Sequence, residues 1–262
     1  MLAVLSPAKT LDFDTPATTK KSSQPRFVDE SGQLIRTLRR RSPDEISSLM
    51  GISDQLAELN SRRYQEWRSE FQPGDAKQAA LAFKGDVYLG LEAHRFSERD
   101  LSWAQKRLRI LSGLHGLLRP LDLIHPYRLE MGTSLKTKSG ANLYDFWGEK
   151  VTEALNEDLS QFKRPALINL ASNEYFKVLQ RDAIQARIVD VKFLDLKNGQ
   201  YKFLSFFAKK ARGLMAAYMV ANRSASVASL KRFDWHGYRF SAEQSHADEW
   251  VFLRDEVTDY RG

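Results

Sequence analysis

Two stretches of alternating apolar and polar residues, RIVDVKFLDL and QYKFLSFF, meet at Lys197-Asn198-Gly199. An Asn-Gly pair tolerates the positive φ angles of a type I′ turn, whose twist matches the flanking strands. No other feature constrains the fold as tightly: it predicts a β-hairpin, and hence a sheet that other segments must complete. LAVL at 2–5 and PALINL before Ala171-Ser172 are apolar runs suited to strands buried on both faces. Two further strands are expected near 237–241 and 249–253.

The rest reads as helix. Residues 15–26, rich in Thr, Lys, Ser and Pro, predict a surface loop, after which SGQLIRTLRR turns helical. SPDEISSLM starts a helix, with Ser42 as cap, Pro43 at the first helical position and Glu45 three residues after the cap. Further helices are expected at 54–70, 75–82, 97–111 and 145–158, in NEYFKVLQ, and in AKKARGLMAAYMVAN, where Ala211, Leu214, Met215 and Tyr218 form one stripe. The expected fold class is therefore α/β, mixed α+β: one domain over 1–262, a mixed sheet surrounded by helices, with a helical lobe at about 30–110.

The 262 residues contain no cysteine, which excludes disulfides, thiolate metal sites and a cysteine nucleophile. No apolar run is long enough to cross a bilayer, and MLAVLSPAKT is too short in its apolar part for a signal peptide. A cytoplasmic protein without membrane partners is expected. His94, His115, His125, His236 and His246 are scattered without metal-ligand spacing, so neither a metal nor a cofactor is expected. The net charge is +7, and it is clustered: Lys192 to Arg239 hold ten basic residues against two acids, while Phe240 onward has six acids against two bases. Such a segment either attracts phosphates or is a solvated basic face.

Five stretches offer chemistry. SPAKT places Ser6 and Lys9 where a strand ends, either as a ligand-binding strand terminus or as a polar turn. AFKGDVYLGL carries Lys84 and Asp86 beside a glycine, a structural ion pair or a site pair. In LSGLHGLLRPLDLIHPYRLEMG the only formal charges are Arg119, Asp122, Arg128 and Glu130; the arginines require either a bound anion or pairing with those two carboxylates. NLASNEYFK, with Asn169 and Ser172, is either an anion-binding helix start or a plain cap. FFAKKARGLM puts Lys209, Lys210 and Arg212 in the expected first turn of a helix, where the macrodipole disfavours cations unless an anion docks there.

LSPAKTLD, ISDQLAELN, AFKGDVYLGL, LSGLHGLLRPLDLIHPYRLEMG, LYDFWG, NLASNEYF and FFAKKARGLM together closely resemble the YaaA family of peroxide stress resistance proteins, essentially from end to end. The resemblance implies an unusual mixed α/β fold with a helix-hairpin-helix and a positively charged cleft. It also implies DNA binding and protection against hydrogen peroxide by limiting unincorporated iron. Under it, Lys9, Lys84, Arg119, Arg128, Lys209, Lys210 and Arg212 are expected to line one basic cleft.

A helix-hairpin-helix-like element is expected near 43–67, with Gly51-Ile52-Ser53 as its turn, Asp54 capping the second helix, and Leu49, Ile52, Leu56 and Leu59 packing it. Such turns favour a second glycine where Ser53 stands, and Asp54 places a carboxylate where phosphate would dock. The expected partner is double-stranded DNA. The alternative is an enzyme acting on a nucleotide-like anionic molecule in a pocket formed by Ser6, Lys9, Lys84, Asp86, Arg128, Asn169 and Ser172. A third possibility is direct iron binding.

Overall fold

The structure, a computed structural model, describes residues 1–255; Glu256, Asp259 and Arg261 of the acidic tail lie outside the described residues. The chain begins with β1 (Leu2–Leu5), β2 (Thr10–Leu11), α1 (Val28–Leu38), α2 (Pro43–Met50) and α3 (Asp54–Glu66). There follow β3 (Lys77–Gln78), α4 (Ala79–Ala82), β4 (Phe83–Lys84), α5 (Asp86–Leu91), α6 (Glu98–Arg107), β5 (Leu108–Ser112), β6 (Gly116–Leu118) and β7 (Leu123–Ile124). The second half holds α7 (Leu143–Trp147), α8 (Lys150–Ser160), β8 (Ala166–Leu170), α9 (Asn173–Phe176), β9 (Arg187–Lys197), β10 (Gln200–Lys202), α10 (Ser205–Ala221), β11 (Tyr238–His246) and β12 (Glu249–Arg254).

The expected mixed α/β class holds. An eight-stranded sheet runs β11-β12-β9-β8-β1-β5-β6, with β10 also paired to β9. Strands β12, β9, β8, β1 and β5 are parallel, while β6, β10 and β11 are antiparallel additions. LAVL is the buried centre of this sheet, with Ala3 paired to both Leu108 and Ile168. Helix α10 covers β1, β8 and β9 and crosses α5. Two glycines let the helix backbones touch: a Cβ on Gly213 would lie 1.8 Å from the Val87 carbonyl oxygen, and one on Gly90 2.0 Å from that of Lys210.

Several expectations are corrected. The helix expected at 97–111 ends at Arg107, and Leu108–Ser112 is strand β5. Its residues are wholly buried, and pairing with β1 outweighs the helical spacing of Ala104, Leu108 and Leu111. The 75–82 segment is helical only from Ala79. The 145–158 helix breaks at Gly148, at φ 48°. NEYFKVLQ is α-helical only over Asn173–Phe176. The hairpin's second strand stops at Lys202, and α10 starts at Ser205.

Helices α2 and α3 do form a helical hairpin, with Gly51 left-handed at φ 59°. Ser53, not Asp54, is the cap residue of α3. The buried face of α3 is Ala57, Asn60 and Tyr64, while Leu56 is exposed. Ile52 N–H donates to the Ser47 carbonyl, and the Ser47 hydroxyl donates to the Ile52 carbonyl at 2.6 Å, so the turn closes on itself.

Candidate anion-binding surface

Parallel strands end together, and in α/β sheets ligands gather at those carboxyl ends. Here β1 ends at Leu5 and β8 at Leu170, paired partners, so Ser6 and Ser172 emerge side by side. Ser172 N–H donates to Ser6 Oγ at 2.9 Å, and the two hydroxyls are 3.3 Å apart. The Tyr88 hydroxyl donates to the Ser6 carbonyl at 3.1 Å, tying α5 to the same loop. Asn169 shapes the strand end, accepting from Ala171 N–H at 3.0 Å and donating to Asp190 at 2.8 Å.

Lys9 follows on this loop and reaches Glu130 Oε2 at 2.7 Å, while Arg128 holds Glu130 Oε1 at 2.8 Å. Segment 128–130 is pressed against the end of β5, for a Cβ on Gly113 would lie 2.3 Å from the Leu129 carbonyl oxygen. Tyr64 also donates its hydroxyl to the Arg128 carbonyl. Burial pushes the Glu130 carboxyl up, but hydrogen bonds from Lys9 and Arg128 outweigh it and hold the group below its usual range. The crevice between Pro7, Lys9, Arg128 and Tyr175 measures only about 10 Å³.

Thr10 pairs with Lys84 across β2 and β4, which brings Lys84 beside the same loop. Its ammonium lies 3.6 Å from Asp12. Hydrogen bonds from the Thr15 backbone and hydroxyl are the main cause holding Asp12 down at about 2. Gly85 then seats α5 on Ala8, where an added Cβ would lie 3.2 Å away. Asp86 opens α5 and meets Lys209 of α10 at 3.9 Å. Residues 6, 9, 84, 86, 128, 169, 172 and 209 thus share one end of the sheet. The side chains of Lys9, Lys84 and Lys209 are 62%, 62% and 51% exposed.

Four expected residues stand differently from where the sequence put them. Arg119 follows β6, whose Leu118 pairs with Ile110, so it projects toward the amino end of β5, away from Ser6 and Ser172. There it pairs with Asp122 at 2.9 Å and donates to the Gln24 carbonyl. Lys209, Lys210 and Arg212 fall after the first turn of α10, which removes the macrodipole argument. Arg212 is half-buried, burial lowers its pKa, and no carboxylate pairs with it among the described residues. The wider basic segment is dispersed, because Lys192, Arg223 and Arg239 each meet a carboxylate, of Glu249, Asp100 and Asp255.

Sequence reasoning missed Asp12, Lys77 and Tyr88. Lys77 is buried, with its amine 2.7 Å from the carbonyl oxygens of both Asp12 and Thr15, and burial lowers its pKa. Asp12, Lys77, Lys84, Tyr88, Glu92 and His94 are among the residues lining an adjoining cavity of about 320 Å³. Asp12 follows LSPAKTL directly and was legible as a charge near the site; nothing in sequence marks Lys77. Among the described residues no group of three His, Asp or Glu side chains could hold a metal ion, and no helix is long and apolar enough to cross a membrane.

A family model described as peroxide stress protein YaaA matches residues 1–244. A UPF0246 protein of Cellvibrio japonicus (strain Ueda107) is 54% identical over 256 residues, covering 98% of this chain and 99% of the relative.

Proposed function

The chain belongs to the family of the peroxide stress protein YaaA, and on that premise we propose that it is a cytoplasmic protein that binds double-stranded DNA and protects against hydrogen peroxide by limiting unincorporated iron. One observation carries the reading. Lys9, Lys84 and Lys209, far apart in sequence, stand exposed on one rim of the sheet, and the crevice between Lys9 and Arg128 is far too small for a ligand. Cations presented on a surface suit a phosphate backbone better than a compact molecule. The carboxylates of Glu130, Asp12 and Asp86 hold these lysines extended and yield to phosphate on contact. Iron is not a ligand of the protein in this reading.

The test is fluorescence anisotropy with a labelled duplex across a salt series. Affinity should fall steeply with salt, by about 0.9 in log–log slope per phosphate neutralised. Lys9→Ala, Lys84→Ala and Lys209→Ala combined should flatten that slope and fail to restore peroxide resistance or low free iron in cells lacking the protein. Salt-independent binding, or none at low salt, sinks the proposal.

A second reading has its own observation. The 320 Å³ cavity is of ligand size, and it joins two lysines to Asp12, Glu92, Tyr88 and His94. An enzyme acting on a nucleotide-like anion there should gain thermal stability from some member of a nucleotide panel, with the gain lost in Lys84→Ala. A flat response across the panel removes this reading.

A further inference from the structure

A second basic concavity lies away from the sheet's rim residues. It is formed where the carboxyl end of α1 faces the turn at 136–140 and has a volume of about 440 Å³. Arg36 and Arg40 enter it from α1 and the residues just beyond, and Lys136 and Lys138 from the opposite turn. No acidic side chain lines it. Each cation of the rim described above has a carboxylate within 4 Å, whereas among the described residues none of these four has one.

The walls are built. Thr137 N–H donates to the Gly140 carbonyl at 2.9 Å, and Ser139 N–H to Thr137 Oγ1 at 3.1 Å, closing the turn. Asp145 accepts from Ala141 N–H at 2.8 Å and sits where a side chain on Gly140 would be, 2.1 Å from the added Cβ. Asp145 is thus held against the backbone of the turn and, among the described residues, forms no ion pair with Lys136 or Lys138. On the other wall Arg39 donates to the carbonyls of Tyr64, Gln65 and Trp67, which anchors the chain between Arg36 and Arg40 to the end of α3. Gln33, Thr137 and Ser139 add uncharged polar groups to the lining, while the Thr37 hydroxyl donates back to the Gln33 carbonyl at 3.1 Å.

Four like charges converging on one concavity give it a positive potential that favours a multivalent anion over a singly charged one. The volume lies within the range of small-molecule sites, and the cations surround it from two walls. We propose that this concavity binds a compact anion carrying two or more linked phosphates, with the guanidinium groups of Arg36 and Arg40 taking phosphate oxygens in forked pairs and Lys136 and Lys138 closing from the other side. The site is separate from the proposed DNA contact and does not depend on it.

Titration calorimetry of the full chain with inorganic tripolyphosphate, against orthophosphate, at physiological salt tests this. Saturable binding of tripolyphosphate near one equivalent is expected, with orthophosphate much weaker. Arg36→Ala with Arg40→Ala should weaken it about tenfold or more, as should Lys136→Ala with Lys138→Ala, while duplex affinity stays unchanged. All four side chains are exposed, so the variants should keep the parent's unfolding temperature. Absence of saturable binding overturns the proposal, as does binding that either double variant leaves intact. Loss of duplex affinity in the double variants, with tripolyphosphate unaffected, would assign the concavity to DNA instead.

Discussion

Gly213 and Gly90 bring α10 and α5 into backbone contact, each occupying a place where a methyl group would strike a main-chain atom of the other helix, at 1.8 Å and 2.0 Å. Because Asp86 opens α5 and Lys209 lies one turn before Gly213, this contact sets the spacing of the Asp86–Lys209 pair. Gly213→Ala should push the helices apart at a cost of about 1–3 kcal/mol or more. The unfolding temperature should drop by about 2–4 °C for each kcal/mol lost. An unchanged melting temperature would mean the helices separate freely.

Asp195 is buried on β9, with Arg254 Nε at 2.6 Å and the Tyr238 hydroxyl 3.1 Å from both carboxylate oxygens. Asp195→Ala strands the Arg254 guanidinium and should cost about 3–5 kcal/mol in urea unfolding. Tyr238→Phe removes one hydrogen bond and should cost about 1 kcal/mol. Equal effects of the two would show that the ion pair is not the main element.

His115 is fully buried, and burial is the chief cause holding its imidazole at about 3, with His125 contributing. Its Nδ1 lies 3.0 Å from Ser31 Oγ, and its Nε2 has no partner. Folded, it stays neutral; unfolded, it takes up a proton below about 6.5. The stability it supports is therefore whole above that pH and declines as pH falls toward the folded value, by about 1.4 kcal/mol per unit. Urea unfolding at pH 7.5 and 5.0 (chosen to span the unfolded value of about 6.5) should show a smaller loss in His115→Phe than in the parent. Identical losses would rule His115 out as the source.

Gly51 has open space around the position of a Cβ, so Gly51→Ala isolates the backbone cost of its left-handed conformation, about 1 kcal/mol. Duplex affinity should change by less than about twofold, because the turn closes through Ser47 and carries the Asp54 carboxylate outward. A tenfold loss at intact fold would make the turn a DNA contact after all.

How much of this was legible in the sequence depended on whether partners were local. The Asn198-Gly199 turn, the Ser42–Glu45 capping box and the buried strand Leu2–Leu5 each follow from a few adjacent residues. Leu108–Ser112 was misread because its strand character comes from β1, a hundred residues away. The open choice for Arg119 and Arg128 resolves into pairing with Asp122 and Glu130, both neighbours in sequence. The charge density of residues 192–239 misled because its neutralising carboxylates come from α5, α6 and β12 and the residue after it. No local pattern joins Arg36 and Arg40 at the end of α1 to Lys136 and Lys138 in a turn so far downstream.

The placing of Leu2–Leu5 between β5 and β8 has a consequence for synthesis on the ribosome. Within this sheet the earliest strand in the chain is the one on which the sheet closes, yet one neighbour appears only at residue 108 and the other at 166. Until then an apolar β segment has no edge to dock on, and long-range parallel pairing is slow once it starts. Assembly of the centre is thus deferred until well over half the chain has emerged. Shielding of that opening segment, rather than the final stability, should then set the yield of folded protein.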